Sequence, residues 1–495
     1  MSDQFVNGTD RKQRILLPDT LDEYVDENNP VRFIDAFVDS LDLVSLGLRH
    51  SVPASTGRPP YNPGDLLKLY MYCYLNSVRS SRKLEHEAYR NIEVIWLMKK
   101  LRPDHKTISD FRRNNASALR EVFRQFVFFC RELDLFGGEL IGVDSTKLRA
   151  VNSSNRNFTL VTVEKKLREI DSRIEKYLDE MEQQDEIDSK RDGHKKKGKG
   201  GQTLQDKIKQ LKEKREWYSK IHREMKNTGV HEVSLTDRDS RTVRCNGTFF
   251  VGYNAHAAVD ARNHLIADYN VTNKTSDGDA LFDIASSARE TLGADRIEVV
   301  ADRGYFSSQE IKKCIDDGIM PYVPAPSRSR NGETIKRGIP TPDFFDSKFR
   351  YDRRTDTYTC PANKLLTFRF ATDGRYHDMT YRVYGTRECF RCIYMNTKCT
   401  VNRTHGRRMW RYEHQNLIDE MRKRMANNPS MMSVRQSLCE HPFGTIKRAF
   451  NQGYLLLKGF RKVVGEIGLT MLAYNMRRVL NIMGTKKLVK AAAGC

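Results

Sequence analysis

The stretch "IEVVADRGYFS", residues 297–307, decides how the chain folds. Its first five residues are mostly apolar and β-branched, which is typical of a strand buried in a sheet. The apolar run stops at Asp302, which Arg303 and Gly304 follow. Because the ends of buried strands hold polar side chains on a rigid frame, this stretch predicts a functional carboxylate at the end of a core strand.

The composition narrows the class of protein. The 495 residues are 39% hydrophobic and 30% charged, which is typical of a globular chain. Lys and Arg number 85 against 64 Asp and Glu, a formal charge of +21, so we expect a polyanionic partner, with nucleic acid as the leading candidate. Neither an apolar run of about 18 residues nor a secretory signal is evident, so we expect a cytoplasmic protein without a membrane partner.

Other strand patterns lie on both sides of a long helical segment. "GGELIGVDSTKLRAV" (137–151) carries Asp144 after an apolar run. "TVRCNGTFFVGYNAHAAVD" (242–260) and "HLIADYNVTN" (264–273) are joined by a short polar turn, which predicts an antiparallel hairpin. Helical patterns fill the first 135 residues and return near residue 430, so the sequence predicts an α/β core between two groups of helices.

A helical hairpin is predicted between the first two strand groups. Apolar residues recur at steps of three and four from Leu160 to Met181 and, more loosely, from Leu204 to Met225. The segment between them, "SKRDGHKKKGKGGQ" (189–202), is dense in Lys and Gly and predicts a mobile basic loop. A solvated linker is one interpretation of this loop, and the other is that phosphates are contacted by Lys195, Lys196 and Lys197.

Three acids form a candidate site: Asp144, Asp302, and Glu440 in the helical "LCEHPFGTIK" (438–447). Carboxylates that converge repel one another unless a cation offsets their charge, and Mg²⁺ prefers oxygen ligands. Two such ions about 4 Å apart can promote phosphoryl transfer. In a basic chain the trio therefore indicates cutting or joining of nucleic-acid strands. The alternative is that the two aspartates cap turns and that the glutamate is a surface residue.

Several basic residues are candidate DNA contacts. Lys147 and Arg303 stand beside two of the acids and suit the DNA backbone, with ordinary ion pairing as the alternative. "HKTISDFRRNN" (105–115) places Arg112 and Arg113 on a short helix, where they can contact bases or phosphates. The alternative is a structural helix whose arginines face solvent.

Four of the ten cysteines lie in "TCPAN" (359–363) and "ECFRCIYMNTKC" (388–399). In a reducing compartment such thiols are free or bind metal more often than they form disulfides. A Cys-x2-Cys pair with one thiol after it and one upstream fits a tetrahedral zinc site, although reduced cysteines in a small β-rich insert are the alternative. The ligands of this structural Zn²⁺ would be Cys360, Cys389, Cys392 and Cys399.

Taken in order, the motifs resemble bacterial insertion-sequence transposases of the DDE type. The resemblance is to the insertion-sequence eleven-eighty-two group, related to the insertion-sequence four superfamily, and it covers nearly the whole chain. "TGRPPYNPGDLLKLYMYCYLN", "SSRKLEHEAYRNIEVIWL" and "PDHKTISDFRRNN" are similar to the group's N-terminal domain. "VDSTKLRA", "VGYNAHAAVD", "ADRGYFS" and "EHPFGTIKR" are similar to its catalytic core.

The superfamily's late signature is kept in part. Its final Glu and Lys are separated by six residues, as are Glu440 and Lys447. Ser433 and Gln436 occupy the positions of its Tyr and Arg, so no role at DNA ends is transferred to them. On a helix a separation of seven puts Lys447 on the face of Glu440, where it and the adjacent Arg448 are expected to contact DNA phosphates.

The resemblance implies an RNase H-like core, a mixed central sheet flanked by helices. Asp144 would lie on the first strand, Asp302 after the fourth, and Glu440 on a late helix. The implied units are an N-terminal helical DNA-binding domain (1–135), the first part of the core (136–325) with the hairpin insertion (158–228), a cysteine-bearing insertion (326–429), C-terminal core helices (430–485) and a tail (486–495).

The resemblance also implies a reaction. The three acids would share two Mg²⁺ or Mn²⁺ ions, hydrolyse the DNA at the terminal inverted repeats and join the 3′-hydroxyls to target DNA, with a homodimer on paired ends. The protein would be cytoplasmic and associated with the nucleoid when bound to DNA. Two alternatives are a DNA-binding regulator, including an inactive domesticated transposase, and another RNase H-like nuclease.

Overall fold

The structure is a computed structural model of the chain. It describes residues 20–53, 55–56, 59–153, 156–189, 204–245, 247–325, 340–373, 379–450 and 452–494. Most of the predicted basic loop lies outside the described residues, so its phosphate contacts stay a prediction, and this applies to Lys195, Lys196 and Lys197.

The strands form a mixed central sheet and two smaller sheets. They are β1 (Leu140–Arg149), β2 (Asn157–Thr159), β3 (Glu232–Ser234), β4 (Arg241–Cys245), β5 (Thr248–Asp260), β6 (Ile266–Thr272), β7 (Ile297–Ala301), β8 (Ile319–Tyr322), β9 (Arg350–Asp352), β10 (Thr357–Thr359), β11 (Leu365–Asp373), β12 (Thr380–Gly385) and β13 (Arg408–Tyr412). The central sheet has the order β4–β5–β1–β7–β8, with β6 also paired to β5. β5 is antiparallel to β1, β4 and β6, whereas β1, β7 and β8 are parallel.

Continuous burial explains why these strands occupy the centre of the molecule. Val299 and Val300 of β7 are adjacent in sequence, point to opposite faces of the sheet, and are both fully buried. Residues 251–260 of β5 are buried without a break. Such runs occur where helices cover both faces of a sheet. The predicted hairpin is confirmed as β5 and β6, and β4 adds a strand before it.

The helices cover this sheet and form the N-terminal region. They are α1 (Pro30–Asp39), α2 (Pro63–Leu75), α3 (Ser81–Arg90), α4 (Ile92–Leu97), α5 (His105–Asn114), α6 (Ala116–Glu132), α7 (Leu160–Ser189), α8 (Leu204–Thr228), α9 (Leu281–Leu292), α10 (Ser308–Asp316), α11 (Gln415–Asn427), α12 (Met431–Gly444), α13 (Phe460–Met483) and α14 (Thr485–Ala492). α12 runs through Pro442 and passes into a π-helical turn, Thr445–Ala449.

α13 joins the N-terminal helices to the central sheet. Its residues 465–476 are all buried, and it packs against α2, α6 and β6. A Cβ at Gly465 would lie 2.7 Å from Ala116 Cα, so only glycine allows this close approach of α6. The Asn475 side chain accepts a hydrogen bond from the Ile266 N–H at 2.8 Å and donates to the Ile266 carbonyl at 2.8 Å. Both regions therefore share one hydrophobic core.

The predicted helical hairpin is present as α7 and α8, which pack against each other. Its own small core includes Val163, Ile170 and Tyr218, residues that carry the helical pattern in the sequence. The pair β2–β3 closes its base. The prediction of a helical hairpin from the apolar spacing is therefore confirmed.

The cysteine-bearing region forms a separate five-stranded sheet in the order β13–β12–β11–β10–β9. Each strand pairs antiparallel with its neighbour in sequence, which is a meander. Its core contains Phe349, Tyr358, Leu366 and Tyr384.

The α/β class and the mixed sheet flanked by helices are confirmed. Among the described residues, none of the helices combines the length and the apolar character needed to cross a membrane.

Candidate active site

The register between β1 and β7 brings two predicted acids together. The last pair in this parallel ladder is Val143 with Ala301. Asp144, in the middle of β1, follows Val143, and Asp302, directly after β7, follows Ala301. Both carboxylates therefore stand where the β1–β7 ladder ends. The pKa of Asp144 responds to the charge of Asp302, as expected for neighbouring acids.

Helix α12 crosses β1 directly beside Asp144. A Cβ at Gly142 would lie 3.0 Å from Cys439 Sγ and 3.0 Å from Leu438 Cβ, so the helix rests on the bare backbone of that glycine. This contact carries Arg435 into the site, where its Nη2 donates to Asp144 Oδ2 at 2.7 Å. Asp144 and Arg435 are 21% and 22% exposed, which makes this a half-buried ion pair.

Both oxygens of Asp144 accept hydrogen bonds. The Ser145 backbone N–H donates to Oδ1 at 2.7 Å, and Arg435 occupies Oδ2. Burial, the largest effect, raises the pKa of Asp144, and the charge of Asp302 raises it further. Arg435 and the Ser145 N–H lower the pKa but do not offset that rise. A cation beside Asp144 would favour the ionised carboxylate.

Glu440 lies on the same helix as Arg435, one residue after the buried Cys439. Its side chain is exposed, and its Oε1 accepts a hydrogen bond from Gln436 Nε2 at 2.9 Å. Within the described ranges it makes no hydrogen bond or ion pair with either aspartate. The same residues contain no group of three or more His, Cys, Asp or Glu side chains that could hold a metal ion.

Asp277, between β6 and α9, is an additional acid of the site that the sequence did not single out. It accepts hydrogen bonds from Asn254 Nδ2 at 2.5 Å and Ser145 Oγ at 3.0 Å. The point where a Cβ of residue 304 would stand is 3.3 Å from Asp277 Oδ2 and 3.0 Å from Asp302 Oδ1, so both carboxylates flank Gly304. Asp277 sits among Ser, Gly and another Asp, and no local pattern distinguishes it from an ordinary turn residue.

Lys147 pairs with Asp277 instead of standing free for DNA. Its Nζ lies 3.1 Å from Asp277 Oδ2, and each side chain is 15% exposed. Burial opposes ionisation of Asp277, but the Asn254 hydrogen bond and the charge of Lys147 hold its pKa below the usual range. The ion-pair alternative therefore describes Lys147 in this structure. Arg303 is exposed next to Asp302.

A buried His–Tyr pair lies next to the turn that carries Asp302. His256 is fully buried, and its Nδ1 lies 2.7 Å from Tyr305 Oη. Burial lowers the pKa of His256 to about 4, so the ring is neutral near pH 7. Tyr305 comes from the same stretch as Asp302, and its packing fixes the turn that carries that acid.

The predicted DNA contacts after Glu440 lie in the π-helical turn. Lys447 and Arg448 are both exposed there. The seven residues from Glu440 to Lys447 run from α12 into this π turn, so the regular α-helical spacing behind the predicted shared face does not strictly apply. Both basic side chains lie on the surface, and their contacts with DNA stay a prediction.

The two arginines of α5 differ in position. Arg112 is 4% exposed, and its Nη1 donates to Tyr74 Oη at 2.9 Å and to the Arg79 carbonyl at 3.1 Å. Its guanidinium holds N-terminal helices together and does not reach the surface, so the prediction of a DNA contact there is wrong. Arg113 is exposed and pairs with Asp110 at 2.9 Å.

The four predicted zinc ligands line one small cavity of about 20 Å³: Cys360, Cys389, Cys392 and Cys399. None of them forms a disulfide. Since no three metal-ligating side chains of the described residues are placed to hold an ion, the zinc prediction is not supported.

Comparison with known proteins places the chain in a family. Residues 19–114 match a transposase domain (DUF772), and residues 225–476 match the transposase DDE domain. No curated protein matches the chain. The chain is similar to the cryo-EM structure of a piggyBac transposase synaptic complex with hairpin DNA, with 10% identity and a TM-score of 0.30 over 94% of this chain and 79% of that chain. This similarity is too weak to indicate function. The DDE-domain match spans half of the sequence, and the chain therefore belongs to the transposases that carry a DDE domain.

Proposed function

We propose that the chain binds the terminal inverted repeats of an insertion sequence of the eleven-eighty-two group, cleaves the DNA ends and joins the 3′-hydroxyls to target DNA. Asp144, Asp302 and Glu440 are the proposed catalytic acids. The observation that carries this proposal is the β1–β7 register, which places the two aspartates side by side where the pairing of these strands ends, with α12 packed on β1 beside them.

The strand order supports an RNase H-like core. The three strands β6, β5 and β1 are antiparallel neighbours, and β7 and β8 continue the sheet in parallel with β1. In this arrangement Asp144 belongs to the first strand of the sheet and Asp302 follows the fourth, if β4 is counted as an addition at the edge. In the proposed division of the chain, residues 1–135 bind DNA and the insertions at 158–228 and 326–429 interrupt the core.

The oxygen donors of Asp144 and Asp302 are of the type that suits Mg²⁺ or Mn²⁺. Carboxylate oxygens are the ligands that these hard cations prefer. Because the pKa of Asp144 is raised although a guanidinium is bound to it, a further cation nearby would favour the ionised carboxylate. Asp144, Asp302 and Glu440 would hold the ions, which when bound supply a Lewis acid for phosphoryl transfer. Two ions per site are proposed.

The chain's own residues would position the DNA. Arg435 holds positive charge at the point where a phosphate would approach Asp144, and a guanidinium suits phosphate geometry. Lys447 and Arg448 extend this charge along the exposed surface beyond α12, and Arg303 adds to it beside Asp302. The proposed partner is therefore duplex DNA, both at the repeats and at the target. A homodimer on the paired ends is also proposed.

The test measures strand cleavage on labelled DNA that carries the inverted repeats flanking the gene. Asp144→Asn, Asp302→Asn and Glu440→Gln are each expected to lower the cleavage rate about a thousandfold, equivalent to about 4 kcal/mol of lost transition-state stabilisation. Matched controls are Asp279→Asn, in which the acid is 61% exposed, and Glu420→Gln on the surface of α11, and both should cleave like the parent chain.

Each outcome separates the candidate functions. A fully active variant at any of the three acids would overturn the assignment of that acid. Cleavage without joining to target DNA would identify another nuclease, and end binding without any cleavage by the parent chain would identify a DNA-binding regulator. Retained end binding by the inactive variants would show that the acids serve chemistry and not recognition.

A further inference from the structure

Helix α3 of the N-terminal region carries a basic face that the site at Asp144 does not use. Four exposed basic side chains lie on it: Arg82, Lys83, His86 and Arg90. Because successive residues of a helix turn by about 100°, these four side chains fall within an arc of about 100°. The buried residues of α3 are Leu84, Glu87 and Ala88, which point to the other side of the helix. One side of α3 therefore packs on the protein while the other offers positive charge to solvent.

Most of this charge has no acidic partner in the protein. Within the described ranges, the side chains of Arg82 and Lys83 form neither a hydrogen bond nor an ion pair. Arg90 pairs with Glu87 at 2.5 Å, yet the arginine side chain is still 63% exposed. Glu85, the other acid of the helix, lies 3.0 Å from His105 Nδ1. The basic face is therefore available to an external anion.

The segment between α4 and α5 extends this face. The Arg102 guanidinium lies 4.8 Å from the centre of the Tyr89 ring, and that ring is 53% exposed. His105 joins the same surface through its contact with Glu85. Both contacts hold basic side chains beside the C-terminal half of α3.

α5, which packs against α3, is less suited to an external partner. Arg112 is 4% exposed and is engaged by buried hydrogen bonds, and Arg113 pairs with Asp110 at 2.9 Å. Of these two helices, α3 presents the larger unpaired charge to solvent.

The start of α3 lies near the basic π-helical turn after α12. Just before the helix, Ser77 Oγ donates a hydrogen bond to the Ala449 carbonyl at 2.6 Å. The same turn carries the exposed Lys447 and Arg448. A polyanion bound along α3 would therefore also come close to these two basic residues.

We propose that α3 lies in the major groove of the terminal inverted repeat and reads its sequence, with Arg82 and Arg90 on guanines and Lys83 on a phosphate. This inference rests on the proposed function and names the surface that recognises the repeats. A helix about 10–12 Å across fits a major groove about 12 Å wide, and arginine binds guanine O6 and N7 through two N–H groups. Eight residues separate the two arginines, a rise of about 12 Å, so each can reach a different base pair.

The test measures binding of the full chain to two labelled duplexes by fluorescence anisotropy: the inverted repeat that flanks the gene and a scrambled duplex of the same composition. Arg82→Ala and Arg90→Ala are each expected to weaken binding to the repeat about ten- to a hundredfold, and binding to the scrambled duplex far less. Lys83→Ala should weaken binding to both duplexes equally and lower the slope of log affinity against log salt by about one. The control Arg422→Ala removes the same charge from α11 and should bind both duplexes like the parent chain.

The outcomes separate this inference from the proposed function. If the parent chain prefers the repeat and both arginine variants keep that preference, the inference is overturned and the proposed function stands. A parent chain that shows no preference for the repeat would overturn both. If the arginine variants lose affinity equally for the two duplexes, α3 attracts phosphates without reading bases, and the inference is again overturned.

Modified DNA tests the contact with the major groove. Replacing a contacted guanine by 7-deazaguanine removes the N7 acceptor, so it should weaken binding of the parent chain but not of the variant that lacks the matching arginine. A repeat in which no guanine behaves in this way toward Arg82→Ala or Arg90→Ala would overturn the proposed guanine contacts.

Discussion

Gly142→Ala tests how closely α12 must rest on β1. An alanine in a strand is ordinarily more favourable than glycine by about 0.5–1 kcal/mol. At this position the new Cβ would stand 3.0 Å from both Cys439 Sγ and Leu438 Cβ, so the neighbours must move by a few tenths of an ångström. Overpacking of a tight core costs about 1–3 kcal/mol. Because the cost exceeds the gain, we expect a net loss of about 1–2 kcal/mol.

The displaced helix carries Arg435 and Glu440, so activity should fall with stability. The measurements are urea unfolding followed by circular dichroism and cleavage of labelled ends. Gly453→Ala is the control because a Cβ there would meet nothing within 4 Å. We expect the control to match the parent chain and Gly142→Ala to bind ends normally while cleaving them more slowly.

A double-mutant cycle tests whether the contact with Cys439 causes the loss of stability. Cys439→Ala removes the sulfur that the new Cβ would meet, so the effects of Gly142→Ala and Cys439→Ala should be less than additive, with a coupling above about 0.5 kcal/mol. Strict additivity, or a Gly142→Ala chain as stable as the parent, would show that α12 does not rest on β1 as described.

Three further predictions concern the charges of the site. Arg435→Ala leaves Asp144 without its counter-charge and should lower the free energy of unfolding by about 2 kcal/mol in the absence of metal, and this loss should become smaller as Mg²⁺ is added. Thermal unfolding measures the loss, with the surface variant Arg422→Ala as the control. A loss that is the same with and without Mg²⁺ would contradict the proposed metal site. Asp277→Ala leaves the half-buried Lys147 without its ion-pair partner and should lower the free energy of unfolding by about 3 kcal/mol in urea, whereas a neutral effect would mean that the pair is not formed. Because its pKa is raised, Asp144 takes up a proton at a higher pH than an ordinary aspartate, so the cleavage rate should begin to fall at a higher pH as the solution is acidified. Arg435→Ala removes a charge that lowers this pKa and should move the fall in the pH–rate profile to a still higher pH.

The local elements of the core could be predicted because their signals are local. The apolar run of β7 and the spacing in α7 and α8 depend only on which residues follow one another. The same holds for the position of Asp302 at the end of its strand. These features could therefore be predicted without knowing which distant residues they contact.

The partners within the site could not be predicted because long-range register creates them. Nothing near Asp277 in the sequence indicates that Asn254 and Lys147 will reach it from β5 and β1. Arg435 reaches Asp144 because α12 rests on Gly142, and no residue near Arg435 in the sequence indicates that contact. Arg112 sits on a polar-looking helix, and its burial depends on a tyrosine hydroxyl 38 residues earlier.

The placement of α13 has a consequence for synthesis of the protein. The N-terminal helices end with α6 at Glu132, whereas α13, which packs against α2 and α6, begins only at Phe460. During synthesis, the apolar faces of α2 and α6 that α13 covers therefore lack this partner until α13 has left the ribosome. Chains that stop before α13 are expected to expose this apolar surface and to aggregate or be degraded.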